Sequence, residues 1–487
     1  MPLSFRSSEI KLNRPTLLVL DQGTHASRGL LISLAGEILY SSWQKVTLSR
    51  PRPHQVEQNA EEILTSIHKV IEECRAWATQ HEHSIHSIGL ATQRSTVVAW
   101  DKTNGRPLAP AISWQDTRTA KWLAALEVDP QEIRTRTGLP LSPHYGASKM
   151  RWLLEHVPAV RNAADHHHLM MGPLASYLLS GIAVGHPQLA DHSNASRTLL
   201  WNLQTRDWDP WLIDLFGIDL EWLPKSVPIQ SHFGVLKNTD IPINLVNGDQ
   251  SSAMFGHGPV DDTTAIINMG TGAFIILPSG DSPKPHPRLL NGIVSSHSQH
   301  AHYCLEATVN GAGAALEWVQ EQFAIKDIHS LDWAAIENPP VIINTIGGLG
   351  SPWWVADVDL KIDCTAMDSA TCVASVMESI VFMLTANLRE LQSTGCLIQE
   401  IKIGGGLSQS DELCQRLANA TDIRVRRSAE KEITALGTAR LLAGEDGHFK
   451  IPAMDDFEQK KDHALEARFE ESMHLISELV RNSKGLI

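Results

Sequence analysis

Asp249 follows an apolar run, in Val246-Asn247-Gly248-Asp249-Gln250. A lone carboxylate at a strand end, beside a glycine that leaves room for a ligand, can take the proton from a substrate hydroxyl during phosphoryl transfer. The same residue could equally cap the helix that begins near Ser251, and the local sequence does not separate the two. A second carboxylate, Asp21, closes another apolar strand in Asp21-Gln22-Gly23-Thr24. Backbone N–H groups and a hydroxyl in such a turn can approach phosphate oxygens, and the aspartate can hold magnesium through water. Taken alone, that tetrapeptide is also an ordinary turn with a surface acid. Gly270-Thr271-Gly272 is a second candidate phosphate turn, or a tight hairpin. Gly404-Gly405-Gly406, after a strand and before a helix, suits a flat ligand such as adenine, or is a plain helix-entry loop. The sequence contains no G-x-x-x-x-G-K-[ST], which excludes a P-loop.

Two polar segments extend the set: Gln93-Arg94-Ser95 and Trp114-Gln115-Asp116-Thr117-Arg118. Arg94 could donate to substrate hydroxyls and Trp114 could pack on a carbon skeleton, or the two could be a solvated loop and a buried anchor. His166-His167-His168 invites a metal reading, but consecutive residues in regular structure cannot all face one ion, so surface histidines are expected. The 14 tryptophans are scattered and read as packing residues.

These residues need strands to end where they stand. Thr16–Leu20 reads as a strand, followed by Gly29–Leu34, the Ala35-Gly36 turn and residues 37–41, a hairpin signature. A helix opened by Asn59 carries Ile63, Leu64, Ile67, Val70, Ile71, Cys74 and Trp77 at helical spacing, and a strand around Ile88–Leu90 follows. The second half repeats the plan, with a strand near Leu245–Val246, then Thr264–Met269, Ala273–Leu277 and Tyr303–Val309. A helix over 314–323, a long helix over 369–392, a strand at Ile398–Ile403 and helices over 411–420 and 434–443 complete it. Alternating strands and helices predict α/β architecture with ligands at loops after strand ends. Two similar lobes are expected, divided near residue 244 to within about ten residues.

Composition limits the partners. The chain of 487 residues is 43% hydrophobic and 20% charged, enough for two to three globular domains at ~150 residues each. A net charge of −14 without a basic block sets nucleic-acid binding aside. Apolar runs short of the ~18 residues of a membrane span predict no membrane partner. An opening without an apolar core predicts no secretion signal. Six cysteines without a C-x-x-C pair predict a reduced, cytoplasmic chain.

In their order along the chain, Asp-Gln-Gly-Thr, Gln-Arg, Trp-Gln-Asp-Thr-Arg, Gly-Asp-Gln, Gly-Thr-Gly and Gly-Gly-Gly, these motifs resemble those of the FGGY sugar kinases of the actin-like ATPase superfamily, and in particular its glycerol kinases. The likeness spans nearly the whole chain and is clearest over residues 18–30, 88–119, 137–154, 194–209, 241–274 and 432–439. It implies two actin-like (ribonuclease H-like) lobes around a central catalytic cleft. Residues 1–243 would hold the sugar or polyol and the first phosphate turn, and 244–487 the base and ATP. It further implies ATP and Mg2+ as cofactors, Asp249 as catalytic base and metal neighbour, and Asp21 as the magnesium-associated aspartate. Arg94, Ser95, Trp114, His144, Gln250 and Phe274 fall at polyol-contacting positions. Thr24, Arg28, Thr271, Gly313, Gly405, Gly406 and Ser410 fall at nucleotide-contacting positions.

The departures carry information too. Glycerol kinases have Arg-Glu where this chain has Arg94-Ser95, so one carboxylate is expected to be missing from the acceptor site. A tyrosine is replaced by His144, next to Tyr145, and the protonation of this histidine is expected to change near neutral pH. His25 and Ala26 replace hydroxyl residues, Ser410 replaces an asparagine, and residues 353–368 lack the usual Arg-Gly…Gly-Leu-Thr segment. The K-x-x-W core survives as Lys149-Met150-Arg151-Trp152. The expected activity is ATP-dependent phosphorylation of a small polyol or sugar, glycerol first, in a chain compatible with a homo-oligomer. The alternatives are a longer polyol, a ketose such as xylulose or a sugar acid, or a non-catalytic ATP-binding protein. Retention of Asp21, Asp249 and both glycine turns speaks against the last.

Overall fold

The apolar run at residues 16–20 is the middle of β1 (Arg14–Gln22), buried from Thr16 onward in a computed structural model. The structure describes residues 14–484 except 260, 327, 329, 330, 356, 357, 359–361, 365, 445 and 446. The opening residues read above for a secretion signal lie outside the described ones. β2 (Ala26–Ser33) and β3 (Ile38–Lys45) continue from β1 as antiparallel neighbours. The turn between them needs the positive φ of Gly36. α1 (Ala60–Gln80) is capped by Asn59, whose side chain accepts from the N–H groups of Glu61 and Glu62. Such a cap is worth about 0.5–2 kcal/mol against alanine. Ile63, Ile67, Val70, Ile71 and Cys74 bury the expected face of α1. Each buried aliphatic side chain of that stripe contributes roughly 1.5–3 kcal/mol. β4 (His83–Thr92) then pairs in parallel with β1.

A smaller five-stranded sheet, from Leu48–Ser49, Glu57–Gln58, Val97–Asp101, Ala111–Ile112 and Leu169–Pro173, packs beside α2 (Gly146–His156). The strand expected to open the second lobe, β5 (Ile243–Gly248), instead pairs in parallel with β4. It is the edge of the first sheet, whose order is β5-β4-β1-β2-β3. An apolar strand of this kind looks the same whichever sheet receives it, and here β4 offered the free edge. β5 therefore belongs to the first sheet, and the sheets change over across α3 (Asp249–Gly256).

β6 (Thr264–Met269), β7 (Ala273–Gly280), β8 (Leu290–His297) and β9 (His300–Val309) begin the second lobe, followed by α4 (Gly313–Gln322). α5 (Ser369–Ser393), β10 (Glu400–Gly405), α6 (Asp411–Thr421), β11 (Arg424–Ser428), α7 (Ile433–Ala443), β12 (Met454–Phe457) and α8 (His463–Lys484) complete it. The second sheet has the order β8-β9-β7-β6-β10-β11-β12. By length and composition α5 could cross a membrane, contrary to the expectation that no segment would qualify. It is instead mostly buried, at the centre of the second lobe's core.

α7 returns to the first lobe and packs on α3, β1 and β4. The crossing is backbone on backbone: a Cβ at Gly437 would strike the Ser252 carbonyl, and one at Gly256 the Ile433 carbonyl. Cys364 and Cys372 are joined by a disulfide, which corrects the expectation of a fully reduced chain. The segment before α5 folds back on the first turn of that helix, bringing their Cα atoms to 5.9 Å, within disulfide range. Cys74, Cys304, Cys396 and Cys414 are free.

Candidate functional site

β1, β4 and β5 run parallel in one sheet, so their carboxyl ends lie side by side and carry Asp21, Arg94 and Asp249. Asp249 is not the cap of α3: Gly248 holds that position, and Asp249 opens the first turn with its carboxylate accepting from the Gln250 N–H at 2.7 Å. Its Oδ1 stands 4.0 Å from Arg94 Nε. Burial raises the Asp249 carboxyl above the usual range, and Arg94 opposes the rise.

Asp21 is also buried. Burial pushes its carboxyl up to about 7; Arg28 opposes this, while the charges of Asp249 and Glu432 add to it. Two buried carboxylates, the charge of Asp249 raising Asp21, suit a hard divalent cation. Among the described residues no group of three or more His, Cys, Asp or Glu could hold a metal. A magnesium ion bound through one or two carboxylates plus substrate phosphates needs no such cage. Arg28 lies 3.7 Å from Asp21 and 3.2 Å from Glu432, just before α7.

The phosphate-turn candidates are tied to the acceptor side. Trp114 Nε1 donates to the Thr24 hydroxyl at 3.0 Å, and the Gln58 amide donates to the Thr24 carbonyl at 2.7 Å. His144 meets Trp114 edge-on, with ring centroids 5.6 Å apart. Burial, with Lys149, Arg197 and Arg94 adding to it, brings the His144 imidazole down to about 3. The expected change of charge near neutral pH is therefore not found, because no carboxylate close to the ring outweighs the surrounding cations. Ser95 has φ +65°, and its hydroxyl meets no partner among the described residues. Gln250 accepts from Asn268 at 3.4 Å, and both line a small cavity with Phe274 and His257.

On the nucleotide side, β6 pairs in parallel with β10, placing Met269 opposite Gly405. The Gly270-Thr271-Gly272 turn therefore sits beside Gly404-Gly405-Gly406. The N–H groups of Ala312 and Gly313 donate to Thr271 and Gly270 carbonyls at 3.2 and 3.0 Å, so the start of α4 joins the same rim. Ser410 caps α6 by accepting from the Leu413 N–H at 3.3 Å. Asp116 and Arg118, beside Trp114, pair with one another and serve the scaffold.

Two residues at the centre were not singled out from the sequence. Glu306, buried on β9, accepts from Arg94 through both nitrogens at 2.9 and 3.0 Å. It also accepts from Arg197. Burial works against its ionisation, and Arg197 and Arg94 overcome that and bring the carboxyl down to about 2. The signal available was a single acid inside the apolar strand Tyr303-Cys304-Leu305-Glu306-Ala307-Thr308-Val309, since such a charge is buried only when paired. A carboxylate thus faces Arg94 although Ser95 supplies none.

Comparison with known proteins bears on this geometry. The chain matches the N-terminal domain of the FGGY family of carbohydrate kinases over residues 16–256 and its C-terminal domain over 265–444. It is 33% identical over 441 residues to a glycerol kinase from Rippkaea orientalis, covering 87% of this chain and 88% of that protein. It is 34% identical over 447 residues to a glycerol kinase from Alkalilimnicola ehrlichii, covering 88% and 89%. A crystal structure of Plasmodium falciparum glycerol kinase with ADP superposes with a TM-score of 0.86 at 24% identity, covering 96% of this chain and 98% of that one.

Proposed function

The chain belongs to the FGGY family of carbohydrate kinases, ATP- and Mg2+-dependent phosphotransferases with an alcohol acceptor, and from that premise we propose that its acceptor is glycerol. The observation that carries the reading is Asp249 beside Arg94, at the sheet end that also holds Asp21 and Thr24. We assign residues up to Gly248 to the acceptor lobe and those from Thr264 to the nucleotide lobe, with α3 between them.

Arg94 and Gln250 donate to acceptor hydroxyls, while Trp114 and Phe274 cover the carbon skeleton. The buried Asp249 carboxylate accepts the proton of the attacking hydroxyl, whose oxygen bonds to the γ-phosphorus as the bond to the β-phosphate oxygen breaks and ADP leaves. Thr24, Arg28, Thr271, Gly313, Gly405, Gly406 and Ser410 line the path of the nucleotide from its phosphates to its base. Asp21, with Asp249 nearby, holds magnesium, which when bound neutralises charge on the phosphates. The neutral His144 ring orients Trp114 without adding charge. We place the enzyme in the cytoplasm, where ATP and small polyols are available, as a homo-oligomer without nucleic-acid or membrane partners.

Magnesium-dependent ADP release, measured with a panel of polyols, ketoses and sugar acids, tests the reading. Glycerol should give the highest kcat/KM, and a better ketose or sugar acid would refute it.

A further inference from the structure

Lys149 is fully buried on α2, and its ammonium bonds to main chain. It donates to three backbone carbonyls: Ser95 at 3.2 Å, Ser113 at 2.8 Å and His144 at 2.7 Å. An ammonium has three donors, and all three are used. The acceptors come from three separate stretches of chain. One carbonyl follows Arg94, one precedes Trp114, and one is that of His144 itself. Without the ammonium, three carbonyl dipoles would converge in a buried space with nothing between them.

The Ser95 backbone makes this more than general packing. A non-glycine residue at φ +65° is held there only by its surroundings. The Ser95 side chain supplies no hold, since its hydroxyl has no partner among the described residues. Its carbonyl is bound by Lys149 instead, which fixes the backbone on the far side of Ser95 from Arg94. Asp116 and Arg118, whose charges act on the ammonium, are engaged elsewhere: Asp116 accepts from the Val56 N–H at 2.6 Å and from Arg118 Nε at 2.9 Å, and Arg118 also pairs with Glu57 at 2.7 Å. Thr119 and Ser148 join the same region through a hydroxyl pair at 2.8 Å.

We propose that Lys149 is a positioning residue for the acceptor pocket, its ammonium holding in one geometry the three backbone segments that present Arg94, Trp114 and His144. The nucleotide rim, built from β6, β10 and α4, receives none of these bonds. Loss of the ammonium therefore loosens acceptor binding, and reaches the nucleotide side only through the Trp114–Thr24 bond.

The inference rests on the polyol-kinase reading, and kinetics on the full chain separate the two. Lys149→Met keeps the length and removes the donors, whereas Lys149→Gln keeps two. The KM for glycerol should rise tenfold or more in Lys149→Met and less in Lys149→Gln, with the KM for MgATP and kcat within threefold of the natural chain. An unchanged glycerol KM, equal rises in both KM values, or failure of both variants to fold would overturn the inference and make the lysine a scaffold residue. If the natural chain prefers another acceptor in the panel, the choice of glycerol fails while the same split is read with that acceptor. A natural chain that releases ADP with no acceptor overturns both.

Discussion

Glu306→Gln tests the centre of the site most directly. The carboxylate faces two guanidiniums in a position that is 2% exposed, so neither charge pair is screened by water. Its carboxyl is held at about 2 against an ordinary 4.5. At about 1.4 kcal/mol per pH unit, that gap corresponds to about 3 kcal/mol of folded-state stability. Breaking a buried pair by removing one partner costs roughly 3–5 kcal/mol, in agreement. A carboxyl depressed in the folded state contributes in full above its unfolded value and loses that contribution as pH falls through the folded one. The contribution is therefore present above about 4.5 and is gone near 2. Urea unfolding at pH 7 should show the variant less stable by about 3 kcal/mol, a large share of a typical 5–15 kcal/mol. The difference should shrink steadily below pH 4.5, and the KM for the acceptor should rise because Arg94 is no longer held. A loss under about 1 kcal/mol at pH 7, or one that does not shrink in acid, would refute the reasoning.

Asp249→Asn should lower kcat by about 10²–10⁴ while nucleotide binding, followed by calorimetry, stays intact; near-normal turnover would remove Asp249 as the base. Because the Asp21 carboxyl is raised to about 7, magnesium must displace a proton below that pH. MgATP affinity should therefore climb from pH 5.5 to 8 in the natural chain and be flat in Asp21→Asn, which titration at each pH would read. Ser95→Glu with His144→Tyr should raise kcat/KM for glycerol at least tenfold, about 1.4 kcal/mol of transition-state binding; an unaltered value would place both residues outside acceptor recognition.

The elements were legible because their signals are local. Asn59 precedes a clean helical stripe, and Thr264–Met269 and Ala273–Gly280 flank their glycine turn as the sequence implies. Partnership across the fold was not. Nothing inside Ile243–Gly248 says which sheet will take it, and Cys364 and Cys372 are paired by a chain reversal that eight residues of sequence do not display. Asp21, Arg94 and Asp249 stood out by type and context, whereas the importance of Glu306 depends on guanidiniums 212 and 109 residues away. The neutrality of His144 is likewise a product of burial among cations, which spacing cannot reveal.

The glycine crossing of α3 and α7 has a mechanical meaning. Side chains normally set the spacing of packed helices, whereas here one glycine from each lets main chain meet main chain and fixes their separation. α3 starts with Asp249, and α7 follows Glu432, the partner of Arg28. Any side chain at Gly256 or Gly437 would wedge the two helices apart, and with them the Asp249 that opens α3 and the Glu432 that precedes α7.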